Sequence, residues 1–280
     1  LESKSGFARA SAVYLIGEVG IRHPNLVKEY VPKLIGLVGD RESYVRSFLA
    51  LSLGRICYGL SELTKTLIPE LMKLVNDRND TVRGAAALSL RYIAAVSPEH
   101  VKTLIPELSK MLEDRNKIVR GFAAMGLRLV SMVAPDIVSD IVEGVSDRVA
   151  EGNVHVRRGA AFAIHMISNF PHPEIDRYIL HEVARLLEDK DSNVRVRSIL
   201  TLKNLAAVFP DAVKENIPKI LGFLEDRDGL IRMEASSLLG EIVDRFSEAK
   251  SLALPKMVKL LEDRDQRVKN AAALSLGKLM

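Results

Sequence analysis

The 280-residue chain has no tryptophan, one cysteine and one glutamine, Gln266. With Cys57 alone, no intrachain disulfide can form, and nothing marks an oxidising compartment. Cys57 lies in an apolar helical pattern, where a buried, inert thiol is expected rather than a nucleophile. Aromatic residues are only 5% of the chain, which disfavours single-strand nucleic-acid binding by base stacking. No apolar run approaches roughly 18 residues without a charge, so no membrane-spanning helix is expected. No signal-peptide pattern is present, and a cytoplasmic location is the expectation. Neither sign of charge dominates: 40 basic residues face 36 acidic ones, a net +4, less than a dedicated nucleic-acid-binding domain concentrates. Scarce Gln and Cys beside abundant Glu, Lys and Arg are a trait of thermophile proteins.

Signals of chemistry are equally sparse. His181-Glu182-Val183-Ala184-Arg185 opens like a zinc-protease helix, but Arg185 stands where the second histidine belongs. His23, His100, His155, His165 and His172 form no i, i+4 ligand pair. No GxxxxGK[ST] phosphate loop occurs. The expectation is a protein that is not an enzyme, with no catalytic residue, no metal and no cofactor.

What the chain does have is a repeat. A Val/Ile-Arg/Lys pair recurs at Val45-Arg46, Val82-Arg83, Val119-Arg120, Val156-Arg157, Val194-Arg195, Ile231-Arg232 and Val268-Lys269, in steps of 37, 37, 37, 38, 37 and 37 residues. Arg9 lies one further step upstream. Six residues before each basic residue stands an acid: Asp40, Asp77, Asp114, Glu151, Asp189, Asp226 and Asp263. Eight residues before the acid stands Pro32, Pro69, Pro106, Pro218 or Pro255, with Glu143 and His181 breaking that column. Each repeat reads as two helices, A and B. Ser97 is placed to cap an A helix opening at Pro98, and Pro106, inside that helix, is expected to bend it. Helix B begins after a column of acceptor side chains, Glu42, Asn79, Asn116, Asn153, Asp191, Asp228 and Asp265, with Ser43 available where Glu42 is a poor cap.

This period and these columns resemble the HEAT repeat family, close to the importin and adaptor type, over essentially the whole chain. The resemblance implies an all-α fold, a right-handed α-solenoid of about seven and a half stacked two-helix repeats of 37 residues. The expected organisation is one solenoid over residues 1–280: a half repeat, 1–22, then repeats at about 23–59, 60–96, 97–133, 134–170, 171–208, 209–246 and 247–280. The family implies a hydrogen-bonded ladder in which Asp40, Asp77, Asp114, Glu151, Asp189, Asp226 and Asp263 meet Arg46, Arg83, Arg120, Arg157, Arg195, Arg232 and Lys269. Both ends read as cut: the expectation is a fragment of a longer protein, a chain whose ends pack on something else, or a chain shortened by a few residues. The single change of period points to Phe170-Pro171-His172-Pro173 as a lengthened turn.

In this family helix B lines the concave surface. The column eight residues after the ladder cation reads Gly17, Gly54, Arg91, Arg128, His165, Lys203, Gly240 and Gly277. If it faces the groove, Arg91, Arg128, His165 and Lys203 make a basic stripe, with Arg158 and Arg197 close by. Such a stripe receives acidic side chains or phosphates. The leading expectation is a non-catalytic scaffold binding a protein or peptide of acidic character. A nucleic-acid-binding solenoid using the same stripe is the alternative, and a HEAT-like lyase or enzyme subunit the second. A further cationic column, Arg41, Arg78, Arg115, Lys190, Arg227 and Arg264, falls in the A–B turns and is read as structural.

Overall fold

A computed structural model describes residues 1–133, 138–169 and 173–279. Every regular element among them is helical. Contacts divide the chain into two compact units, Leu1–Ala163 and Ile164–Met280.

In the first unit, α1 (Gly6–Arg22), α3 (Ser43–Gly59), α5 (Asp80–Val96) and α7 (Lys117–Val133) lie side by side, each packed on the next. These are B helices. The A helices α4 (Thr64–Val75), α6 (Pro98–Met111) and α8 (Val138–Glu151) cover them on one side. The short α2 (Val31–Ile35) precedes α3, and α9 (Val154–Ser168) follows α8. In the second unit, α11 (Ser192–Val208), α14 (Gly229–Ile242) and α16 (Gln266–Leu279) are the B row. Their A partners are α10 (Pro173–Leu186), the short α12 (Pro210–Val213) with α13 (Ile217–Phe223), and α15 (Ser247–Lys259). No single pair could bury its apolar stripe alone, so stacking is what makes the core. On α3, Val45, Leu49, Leu53 and Ile56 are completely buried, and on α5, Val82, Ala86, Leu90 and Ile93.

The B helices start where the acceptor column places them. Asn79 Oδ1 accepts from the Thr81 and Val82 amides at 3.0 and 3.3 Å. Asn116, Asn153, Asp191, Asp228 and Asp265 do the same at their own helix starts. Glu42 makes no such bond, and α3 begins at Ser43 without a side-chain cap. One local expectation differs from the structure, and the proline column divides in two. Ser97 is the residue before α6, but its hydroxyl is buried and meets Thr64 Oγ1 at 3.3 Å instead of capping. Pro69, Pro106 and Pro255 lie inside their helices, whereas Pro32 and Pro218 occupy the first turns of α2 and α13, after a 3-10 turn. In those two repeats the proline starts the α-helix rather than bending one, because a first-turn residue has no helical acceptor for the missing N–H. Phe170, Pro171 and His172 lie outside the described residues, as does the Glu151 side chain.

Candidate functional site

Arginine–aspartate pairs fasten several of the turns between helices A and B. Arg46 donates from Nε and Nη2 to both carboxylate oxygens of Asp77, 2.6 and 2.8 Å away. Its Nη1 donates to the carbonyls of Asp40 and Arg41 in its own turn, at 2.6 and 3.3 Å. Asp77 also accepts from the Asn79 amide at 2.8 Å. Arg9 with Asp40, Arg83 with Asp114 and Arg232 with Asp263 repeat this two-point pairing, each across 31 residues. Arg195 meets Asp226 through a single 3.3 Å contact. Arg120 and Arg157 donate to carbonyls of their own turns, Arg120 to Asp114 and Arg115 and Arg157 to Gly152. Asp189 accepts from the Asp191 amide at 2.8 Å. Lys269, the last of the column, has no ion pair among the described residues. Burial alone would raise the carboxyls of Asp77 and Asp114, but the hydrogen bonds from Arg46 and Arg83 prevail and hold both below the ordinary range. These residues tie repeats together, and their side chains are consumed in doing so.

Of the glycine members of the column eight residues further on, Gly277 is exposed and the other three are not open. Gly17 is buried against Ser52, and Gly54 and Gly240 are buried against Ser89 and Ser275 of the following B helix. A Cβ on Gly54 would stand 2.8 Å from the Ser89 carbonyl oxygen. There the column is the seam where two helix backbones meet. Its long members are half-buried at the margin of that seam. In the first unit, Arg91 lies 4.7 Å from the centre of the Tyr92 ring and donates to its hydroxyl at 2.9 Å. Arg128 and Arg158 are half-buried in the same unit. In the second, Lys203 donates to Ser237 Oγ at 2.8 Å and approaches Glu241 at 3.3 Å, so its charge is matched inside the chain. His165 lies 3.5 Å from Asn204 Nδ2; burial first, and then the charge of half-buried Arg197, push its pKa down to about 4. The imidazole is therefore neutral at neutral pH and adds no positive charge to the column. The turn cations Arg41, Arg78, Arg115, Lys190, Arg227 and Arg264 are all exposed.

The face that the B helices do leave open was not read from the sequence. It comprises positions two before and two, five, nine and twelve after the ladder cation, a helical spacing that puts them on one stripe. In the first unit this stripe is apolar and aromatic. It carries Tyr44, Phe48, Leu51, Arg55 and Tyr58 on α3, Tyr92 on α5, and Ile118, Phe122, Met125, Leu129 and Met132 on α7, none of them buried. Phe7 and Tyr14 extend it onto α1, where an open groove of about 700 Å³ lies between them and Tyr44 and Phe48. In the second unit the same positions hold Arg197, Leu200 and Asn204 on α11, Leu230, Glu234, Ser237 and Glu241 on α14 with Asp244 in the turn after it, and Arg267, Leu274 and Lys278 on α16. The missed signal is that α3 and α7 carry apolar residues on two faces, where stacking requires them on one.

Little here resembles a catalytic centre. Among the described residues, no three His, Cys, Asp or Glu side chains are arranged to hold a metal ion. Glu182 is buried and pairs with Arg185 at 2.9 Å, while His181 is exposed. No helix among the described residues is long and apolar enough to cross a membrane.

Comparison with known proteins agrees with the architecture. Residues 158–265 match the family described as the adaptin N terminal region, and residues 7–117 match non-SMC mitotic condensation complex subunit 1. No curated protein matches the chain. Among solved structures, an engineered protein superposes with a TM-score of 0.54 at 23% identity, over 100% of this chain and 76% of that one. A designed armadillo repeat protein in complex with a (KR)4 peptide superposes with a TM-score of 0.50 at 18% identity, over 76% of this chain and 99% of that one. At such identities the superpositions speak for the fold alone. Helix pairs stacked in series, a turn fastened by arginine and aspartate, and matches to two repeat families at either end make the chain a HEAT-like repeat protein with an α-solenoid fold.

Proposed function

We propose that the protein is a non-catalytic scaffold that binds a protein or peptide partner of acidic character across its B helices. The observation that carries this reading is the division of labour on those helices. One set of columns is consumed by core, seam and ladder, and the remaining set forms an uninterrupted open stripe in the first unit. Many modest contacts repeated along such a stripe add up to specific binding, and charge sets the preference among partners. Arg91 supports the acidic preference, since it has no carboxylate partner among the described residues.

The test is a pull-down from lysate with and without nuclease, comparing the wild type with the double reversal Arg91→Glu, Arg128→Glu. Proteins retained after nuclease and lost with the reversal are the expected result. Signal that disappears with nuclease would overturn the reading in favour of a phosphate backbone as the ligand, and its affinity would then fall steeply with salt.

A further inference from the structure

We infer that the open stripe of α3, α5 and α7 is an anchoring site for the apolar and aromatic side chains of a linear partner segment that places an acidic residue at Arg91. This deepens the scaffold reading and rests on it.

The argument begins with a contrast inside the chain. The same five columns exist in both units, on helices of the same kind. In the second unit they are mixed and hold no aromatic ring: Arg197, Asn204, Glu234, Glu241, Arg267 and Lys278 stand beside Leu200, Leu230 and Leu274, so stacking does not demand aromatic residues there. In the first unit Tyr58, Ile118 and Met132 nevertheless stand 48%, 58% and 44% exposed. An apolar patch that crosses three adjacent helices is what a binding surface needs and a solvated face does not. Its floor is ordered. The Tyr58 and Tyr92 rings meet edge to face with centroids 5.9 Å apart. The Phe122 ring leans over Gly84, where a Cβ would lie 3.2 Å from it.

Charge then selects the occupant. Two guanidinium groups, those of Arg55 and Arg91, converge on the Tyr92 hydroxyl; although burial opposes it, their hydrogen bonds hold that phenol below its ordinary pKa. One carboxylate, Glu18, balances the pair by meeting Arg55 at 2.8 Å. One positive charge is left over beside an apolar floor, so the complementary segment is apolar with an acid, not basic and not uniformly polar. Stacked helices are spaced by roughly 8–10 Å, which an extended chain covers in about three residues. Anchors in the partner should therefore recur about every third position.

The experiment is selection of a random dodecapeptide phage library on the full chain, with counter-selection on the variant Tyr58→Ser, Ile118→Ser, Met132→Ser. All three positions are exposed and one ring contact is lost with Tyr58, so the variant should keep the wild-type fold by circular dichroism with only a small fall in denaturation midpoint. The expected pool is rich in Phe, Leu, Trp or Tyr spaced by about three, with Asp or Glu. A synthetic peptide from that pool should bind the variant at least tenfold more weakly. It should also weaken on Arg91→Glu and recover when its acid is replaced by Lys. A basic or featureless pool, or a peptide indifferent to both variants, would overturn the inference. If such an indifferent peptide is instead lost on Lys203→Glu or Arg197→Glu, the scaffold reading survives and only the anchoring site fails. A concentration-dependent dimer by sedimentation that the triple variant abolishes would also overturn it, because a second copy would then be the occupant.

Discussion

Replacing Arg46 by Met and Asp77 by Asn, singly and together, measures what one rung of the ladder contributes. Arg46 and Asp77 side chains are only 5% and 10% exposed, and they share two contacts, of 2.6 and 2.8 Å. Removing one member leaves the other charge desolvated and unmatched, which costs about 3–5 kcal/mol for a fully buried pair. The ladder lies in the A–B turns, where water can reach a vacated site, so about 2–4 kcal/mol is expected for Arg46→Met. Asn at 77 keeps the oxygen that accepts from the Asn79 amide, so Asp77→Asn reports the ion pair more than the turn. Coupling between the two changes should be about 1.5–3 kcal/mol. The same cycle at Arg195 and Asp226 should give at most about 1 kcal/mol, because that pair is 18% and 17% exposed and touches once, at 3.3 Å. The assay is equilibrium urea denaturation followed by circular dichroism, with each free energy taken from midpoint and slope. In a stack governed by nearest-neighbour contacts, weakening one seam should also lower the slope if the array parts there. Equal coupling in both pairs, or coupling at Arg46 and Asp77 under about 0.5 kcal/mol, would refute the idea that two-point geometry and burial set the strength of the rung.

Four further outcomes are expected. Gly59→Ala should destabilise by about 1–3 kcal/mol or more, because a Cβ there collides with the Gly20 carbonyl oxygen, a backbone atom that cannot move aside. Gly121→Ala, inside α7 with open space around it, should instead stabilise by about 0.5–1 kcal/mol; thermal midpoints of the two variants should move in opposite directions. His165, with its pKa lowered to about 4 from 6.5, binds its proton more readily unfolded than folded. Its contribution is then complete above about pH 6.5 and lost as the pH falls toward 4, worth about 1–2 kcal/mol after screening; urea midpoints measured from pH 7.5 to 4.5 should fall less in His165→Gln. The carboxyls of Asp40, Asp77, Asp114 and Asp263, all held low, act in a lower window, losing their contribution only as the pH drops below the ordinary aspartate range. Cys57 is completely buried and its thiol is pushed up to about 12, chiefly by burial, so a disulfide reagent should modify it only when guanidinium unfolds the chain; fast labelling of the native protein would be the contrary result.

Much of the architecture was legible because it is periodic. Seven copies of one spacing locate the A–B turns, and the acceptor column from Glu42 to Asp265 places the B-helix starts. What single columns do in space was less legible. Pro32 and Pro106 occupy the same register, yet one opens a short helix and the other lies within a long one, because the chain before Pro32 takes a 3-10 turn that no residue announces. Ser97 looked like a cap, but the burial of Thr64 beside it offered a different partner. The column of Arg91 and Lys203 drew attention because it is charged. Its glycines show its geometry: Gly17, Gly54 and Gly240 are a seam, and a cation beside a seam is partly spent on its neighbours, as Lys203 is on Glu241. His165 joins the basic stripe by its column and is neutral in place, since burial is a property of the stack and not of its own helix. The open stripe was obscured by arithmetic of a different kind. On α3 and α7 both the buried and the open columns are apolar, so periodicity alone does not separate them.

That last ambiguity leads to a clean separation of fold from surface. If ladder, seam and core hold the stack, the open stripe is free of structural duty. Its residues should then tolerate exchange for those the second unit carries. Ile118→Ser and Met132→Ser should each shift stability by about 0.5 kcal/mol or less, as surface substitutions do, and Tyr58→Ser, which also loses its ring contact with Tyr92, by about 1 kcal/mol or less. Leu53→Ala and Leu90→Ala, one column away and completely buried, should each cost about 2–5 kcal/mol. The two sets lie on the same helices, so differences in helix propensity do not explain a contrast of this size. Denaturation midpoints measured side by side decide the matter. A stripe variant as costly as the core variants would mean that these aromatic residues hold the first unit together, and their exposure would then be structural rather than a surface kept for a partner.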